Sequence, residues 1–204
     1  VVATHPHSDH IGGIPEAVEN MPVDTFIIPE IPEKYIPTTL VYSNLLDAID
    51  ESNAQLDYAE LNATYDLGEA QFTILSPSEE YTDLNNYSVV ILLKFGDKQF
   101  LFMGDAEKKA EDNITEMFEL PPIDVLKVGH HGSNTSSSKD FINIIQPEYA
   151  VIECGKDNSY GHPDSNIVGR ISEYAYSIYR TDLEGDIVCS TDGKDIDFVY
   201  SRQD

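Results

Sequence analysis

Basic side chains are scarce in this sequence: 12 lysines and arginines stand against 37 aspartates and glutamates, a formal charge of -25. A field of that sign repels polyanions unless metal ions or a local basic patch offset it, which argues against tight nonspecific nucleic-acid binding. Cysteine is nearly absent as well. Cys154 and Cys189 lie far apart without CxxC or zinc-knuckle spacing, so they supply no thiolate ligand motif, and whether they pair with each other is left open. No apolar run approaches the ~18 to 20 residues that a membrane-spanning helix needs. The longest, Ser88 to Phe95, is strand-sized and stops at the Gly96-Asp97 turn. Internal repeats, low-complexity linkers and long charge blocks are also missing.

What is present is enough chain for one core. The 204 residues are read as one domain, 1–204, in which apolar runs and helix-period stretches alternate from start to finish, the pattern of a layered α/β fold. Val1-Val2-Ala3 reads as the end of a buried strand whose partners lie upstream, so the expectation is a fragment or a processed form. High acidity with few lysines leans the compartment toward a bacterial extracytoplasmic one; the oligomeric state is not legible.

A short helix is expected over Ile14 to Glu19, a strand over Thr25 to Ile28, and a proline-rich loop over Pro29 to Pro37. Thr38 or Thr39 can cap a helix carrying Leu45, Leu46 and Ile49 at helical spacing. Strands follow at Gln71 to Leu75, Val89 to Phe95 and Gln99 to Met103, the last two joined by a tight turn in a mixed sheet. Ala106 to Phe118 reads as a helix, Val125 to Val128 as a strand, Ser138 to Ile145 as a helix and Tyr149 to Ile152 as a strand. The last helix is expected over Pro163 to Tyr176, before strands at Ile178 to Arg180, Asp186 to Cys189 and Asp195 to Tyr200.

The densest chemical signal is Thr4-His5-Pro6-His7-Ser8-Asp9-His10-Ile11-Gly12-Gly13. It places four metal-competent side chains within six residues, between a strand end and a helix start. Imidazoles and carboxylates suit zinc, manganese or iron. A merely solvated histidine-rich turn is the competing reading, and it accounts poorly for this spacing. Two later segments also begin where an apolar strand stops, the place where α/β sheets carry functional groups. Met103-Gly104-Asp105 puts Asp105 at a loop, either as a group that bridges two cations or as an ordinary helix N-cap. Val128-Gly129-His130-His131-Gly132-Ser133 offers two adjacent histidines that point in different directions, so one ligand is expected from the pair.

This series resembles the metallo-β-lactamase fold hydrolases, and more narrowly the soluble hydrolase domain of bacterial competence DNA-uptake channel proteins and its stand-alone relatives. The resemblance extends through Asn85-Asn86-Tyr87-Ser88, Tyr160-Gly161-His162-Pro163 and Arg180-Thr181-Asp182. It implies an αββα sandwich, here lacking its N-terminal strands, and two divalent ions, zinc or manganese. Carried over position by position, it assigns His5 and His7 to one ion, Asp9 and His10 to the second, and Asp105 to the bridge. His130 is the remaining ligand and His131 a substrate-orienting or supporting group. Many members carry a further histidine where this sequence has Asn85, which makes Asn85 an additional candidate and the first ion weakly held.

The implied reaction is hydrolysis, in which a water activated between two cations attacks and Asp9 helps hold it. His162 reads either as a phosphate contact or proton donor near a helix N-terminus, or as a helix-entry packing residue. Asp182 reads as a turn aspartate before Gly185. The expected substrate is a phosphodiester. Nucleic acid is compatible with the resemblance and disfavoured by charge, so phosphate is expected to be held by the metals with Lys127, His131 and His162. Hydrolysis of another ester, a thioester or a β-lactam is the alternative, and a non-catalytic metal- or partner-binding module is the second.

Overall fold

The computed structural model describes residues 1–201; the last three positions of the expected domain lie outside the described residues. In chain order the elements are α1 (Ser8–Ile11), α2 (Ile14–Asn20), β1 (Thr25–Ile28), α3 (Leu40–Ser52), β2 (Gln55–Tyr58), β3 (Thr64–Leu67), β4 (Ala70–Ser76), β5 (Val90–Phe95) and β6 (Lys98–Phe102). There follow α4 (Lys108–Met117), β7 (Val125–Lys127), α5 (Lys139–Ile145), β8 (Tyr149–Ile152), α6 (Ser165–Ile171), β9 (Ser177–Arg180), α7 (Thr181–Glu184), β10 (Ile187–Thr191) and β11 (Ile196–Tyr200). Strands β3 to β9 form one sheet in sequence order, antiparallel from β3 to β6 and parallel from β6 to β9. β1 and β2 pair in parallel as a second sheet, which Val2 extends by a bridge to Ile27. β10 and β11 form a hairpin.

Strand alternation builds the layers, because successive side chains leave a sheet on opposite faces. Leu75 and Val90 face the core beneath α4, α5 and α6 together with Leu101, Leu126, Ala150, Ile114, Ile142 and Ile171. Their neighbours Ile74 and Val89 face the other way and pack against Ile27 of β1. The opposite face of β1, through Phe26 and Ile28, packs on Ile11 of α1 and on Leu45 and Ile49 of α3. Helices, sheet, sheet, helices: this is the αββα sandwich. Leu126 is fully buried at the centre of the larger core, so Leu126→Ala is expected to cost about 2 to 5 kcal/mol, read as a lowered denaturation midpoint at unchanged slope.

Several expectations shift at their edges. Thr39 is the cap of α3, its Oγ1 accepting from Tyr42 N at 3.3 Å. The last helix is shorter than its periodicity suggests, running only from Ser165 to Ile171: Asp164 sets its start by accepting from Asn166 N at 2.7 Å, and beyond Ile171 the chain goes over to turns, Tyr174 N donating to Ile171 O at 3.0 Å. The loop over Pro29 to Pro37 contains a 3-10 turn at Glu33–Tyr35. β2 and β3 were not anticipated. Each alternates polar and apolar residues, Gln55-Leu56-Asp57-Tyr58 and Thr64-Tyr65-Asp66-Leu67, but over only four largely exposed positions, the shortest run in which alternation signals a strand. Cys154 and Cys189 are both free thiols. Among the described residues no helix is long and apolar enough to cross a membrane.

Candidate metal centre

Three chain segments meet at one end of the sandwich. The first leaves the β1 sheet: Ala3 N donates to Ile27 O, Val89 N donates to Thr4 O, and the chain then turns into α1. His7 stands at the N-cap of α1, Asp9 in its first turn and His10 in its last. The second is Met103-Gly104-Asp105, just beyond β6. Gly104 has φ +53, and a Cβ there would lie 2.9 Å from Ser88 and 3.1 Å from Thr4, so only glycine lets this turn close against the first segment. Asp105 N then donates to Ser88 Oγ at 2.9 Å. Asp105 does not cap the following helix; Glu107 occupies the N-cap of α4.

The third segment follows β7. His130 (φ 47, ψ 48) and His131 (φ 53, ψ 22) both lie in the left-handed region, a costly conformation for two consecutive non-glycine residues and one that clusters at functional sites. Their strain is held by neighbours. His130 N donates to Gly104 O at 3.1 Å, and Ser136 Oγ donates to Gly129 O at 2.7 Å. Glu111 on α4 is 1 % exposed and accepts from Ser137 N at 2.5 Å and Ser138 N at 2.9 Å, pinning the end of this loop to the start of α5.

Burial pushes the Glu111 carboxyl up to about 7, against the lowering effect of those two N–H groups. Because its folded pKa lies above its unfolded one, its contribution to stability is full below about pH 4.5 and is lost as pH rises through about 7. Glu111→Gln, which cannot ionise, is expected to remove that fall, and urea titrations from pH 4 to 8 read it directly.

Within the cluster, Asp105 is the hub. Its Oδ1 lies 3.1 Å from His10 Nε2, and its Oδ2 lies 3.7 Å from His5 Nε2, 3.6 Å from His131 Nε2 and 3.8 Å from His130 Nε2. His5 Nε2 is 3.0 Å from His7 Nδ1, His10 Nε2 is 3.2 Å from His131 Nε2, and Asp9 Oδ2 is 3.3 Å from His131 Nε2. Two groups have ligand atoms close enough to share an ion: His5, His10 and Asp105, and Asp9, His10 and His131.

Outer partners fix the tautomers. His131 Nδ1 lies 2.7 Å from Glu153 O, an acceptor only, so Nδ1 carries the proton and Nε2 presents its lone pair to the cluster. His5 Nδ1 faces Thr4 Oγ1 at 3.2 Å and Ser88 Oγ at 3.3 Å, which suits the same arrangement. Burial, then the neighbouring His10, drives the His5 pKa down to about 3, leaving the imidazole neutral. Burial works to raise the Asp105 pKa, yet His10, His5 and His131 together hold it below the usual carboxylate range. Asp105 Oδ1 is buried and, among the described residues, accepts no hydrogen bond. Nitrogen lone pairs facing one another around an unpaired buried carboxylate oxygen are what a divalent cation compensates, so the donor set fits zinc or manganese.

The family model for the metallo-beta-lactamase superfamily matches residues 1–156. The chain belongs to that superfamily. Among curated relatives it is 30% identical over 188 residues to ComE operon protein 3 of Bacillus subtilis, covering 92% of this chain and 24% of the relative. It is 39% identical over 116 residues to Competence protein ComA of Neisseria gonorrhoeae, 56% of this chain and 17% of that one. Recombination protein 2 of Haemophilus influenzae is 37% identical over 117 residues, 57% of this chain and 15% of that one. The chain thus spans about a quarter or less of the length of these relatives.

Of solved structures, Igni18, a metallo hydrolase of Ignicoccus hospitalis, superposes with TM-score 0.57 at 15% identity, covering 98% of this chain and 78% of that one. CmlA, a diiron beta-hydroxylase of Streptomyces venezuelae, superposes with TM-score 0.57 at 14% identity, covering 87% and 42%. These likenesses establish the fold, and a hydrolase and a hydroxylase on one fold show that the fold does not choose the chemistry.

In this metallo-beta-lactamase fold the expected residues distribute unevenly. His131, rather than His130, is the histidine brought to Asp9 and His10. His130 instead turns its Nδ1 to Thr135 Oγ1 at 3.1 Å and Glu107 Oε1 at 3.3 Å. Asn85 stands behind it, donating to Glu107 Oε1 at 3.4 Å, outside both ligand groups. Glu107 has no signal of its own in the sequence, being one helix-entry glutamate among many, and Ser88, although part of the Asn85-to-Ser88 motif, has no role legible there. His162 does reach the site, with ring centroids 5.7 Å from His130 and 6.5 Å from His131. Gly132 makes that approach close: its φ is +78 and a Cβ would lie 2.6 Å from Pro163.

Lys127 departs from expectation. Its ammonium donates to Val128 O at 3.0 Å and lies 3.7 Å from Glu153, and its side chain lines a cavity with Phe100, Phe102 and Cys189 away from the histidines. Lys127 is the last residue of β7 and leaves the sheet on the face opposite the buried Leu126, before the chain turns at Gly129–Gly132 to present the histidines. Asp182 is no turn residue either: within α7 it accepts from Arg180 Nε at 3.0 Å and Nη2 at 2.6 Å, bracing the end of β9.

Proposed function

We propose that this domain is a hydrolase of phosphodiester bonds that works with two divalent ions, zinc or manganese. The observation that carries the reading is the cluster in which His5, His10 and His131 face Asp105, with His7 against His5 and Asp9 against His131, around a buried Asp105 Oδ1 that accepts no well-aligned hydrogen bond among the described residues although His10 Nε2 stands 3.1 Å away. His5 and His7 would hold one ion, Asp9, His10 and His131 the second, and Asp105 would serve both. Bound there, the ions would supply Lewis acidity toward a phosphoryl oxygen and make water a competent nucleophile near neutral pH.

The chain's own residues do the rest. Ser88, Thr4 and the Glu153 carbonyl hold the imidazoles of His5 and His131 in ligand orientation. Beside them opens a cleft of about 360 Å³ lined by Asp9, His131, Asn158, Tyr160 and His162, with room for a phosphate and its substituents. His162 lines this cleft and can donate a hydrogen bond to a phosphate oxygen. His130, buttressed at Nδ1 by Thr135 and Glu107, keeps the wall of the site in place. Names given to the relatives, for competence and recombination, support a nucleic-acid phosphodiester. With a charge of -25 the domain would grip such a strand only locally and neutralise few of its phosphates, so affinity should fall only shallowly with salt.

The test is a panel of phosphodiester, carboxylic ester, thioester and β-lactam substrates, each with zinc and with manganese. Turnover confined to phosphodiesters is the expected result. Turnover of another class with no phosphodiester cleavage would overturn the reading.

A further inference from the structure

Tyr160 is 82 % exposed, yet it does not sit on a loose loop. Asn158 clamps the segment around it: its Nδ2 donates to Gly155 O at 2.9 Å and to His162 O at 2.6 Å, and its Oδ1 accepts from His162 N at 3.0 Å. The turn is therefore set before any ligand arrives. The His162 ring runs alongside the tyrosine ring, with centroids 5.9 Å apart and planes 14° apart. His162 lies in turn at 22° to His131, with centroids 6.5 Å apart. Three rings thus step from solvent down to the cluster around Asp105, and the first of them is open to solvent.

We propose that Tyr160 is a stacking platform for a nucleobase of the substrate, holding the nucleotide next to the phosphate that reaches the metal cluster; this rests on the phosphodiesterase reading and names its substrate as single-stranded nucleic acid. Charge is the reason stacking is needed. Asp9 and Glu153 line the same cleft, and the whole chain carries -25, so a basic track cannot supply affinity along the strand. A π-face can. It attracts every base, is indifferent to the acidic field, and loses little entropy when its loop is already fixed.

Binding and cleavage separate this inference from the reading beneath it. The binding arm uses metal-loaded protein and two end-labelled, uncleavable phosphorothioate strands of equal length, one with bases and one with tetrahydrofuran abasic sites, followed by fluorescence anisotropy. Wild type is expected to prefer the base-bearing strand by about tenfold, the scale of one base–aromatic stack. Tyr160→Ala should lose that preference with unchanged affinity for the abasic strand, and Tyr160→Phe should keep it. Equal weakening on both strands by Tyr160→Ala, or no weakening on either, would overturn the proposal. Cleavage is scored separately, with wild type on the same two strands in ordinary linkages. Turnover of either strand sustains the phosphodiesterase reading whatever the binding arm shows, and no turnover of either strand overturns that reading while the binding comparison still judges Tyr160.

Discussion

Asp105→Asn is expected to reduce turnover by at least about a thousandfold while leaving a folded protein. Asparagine keeps the volume, and the backbone bond from residue 105 to Ser88 Oγ does not depend on the side chain. What disappears is the one buried negative charge that faces His5, His10, His130 and His131 together. Metal-supplied charge stabilisation in a displacement is worth several kcal/mol, and each ~1.4 kcal/mol is tenfold in rate, so losing the shared ligand removes roughly three powers of ten. Steady-state kinetics on the phosphodiester found in the substrate panel, beside a thermal melt, checks both halves. A folded Asp105→Asn protein with near wild-type turnover would mean the carboxylate is not a ligand.

The second large effect separates two neighbours. His131→Ala is expected to weaken binding of one ion by more than about a hundredfold, whereas His130→Ala should weaken it by about tenfold to a hundredfold at most, the range for a supporting residue. The asymmetry follows from what each ring faces. His131 Nδ1 is satisfied by the Glu153 carbonyl, which frees Nε2 toward Asp9 and His10. His130 Nδ1 is engaged by Thr135 and Glu107, and its Nε2 stands 3.8 Å from Asp105. Competition against a chromophoric zinc chelator gives both affinities. The reverse order would return the ligand role to His130.

That pair also shows where the sequence stops being informative. The layered α/β class followed from the alternation of strand and helix periods, and the gathering of His5, His7, Asp9, His10 and Asp105 followed from motifs placed just past strand ends. Those signals are local. The choice between His130 and His131 is not, because it depends on two left-handed backbone conformations stabilised by Gly104 O, Ser136 and, through Ser137 and Ser138, by the buried Glu111. Lys127 was misplaced because its face of β7 is set by the register with β6 and β8. β2 and β3 escaped notice because each is only four residues long, the lower limit at which a polar–apolar alternation can be read as a strand. The platform of Tyr160 depends on a clamp by Asn158 that spans only a few residues, yet no composition or periodicity rule announces it.

The deciding quantity for this site is the number of divalent ions the chain binds. Elemental analysis of the folded protein, after loading with zinc or manganese and exhaustive dialysis, measures it. Near two equivalents per chain in wild type, falling to one or fewer in Asp105→Asn, is the predicted result. A folded wild type that retains no metal would contradict a metal centre at Asp105.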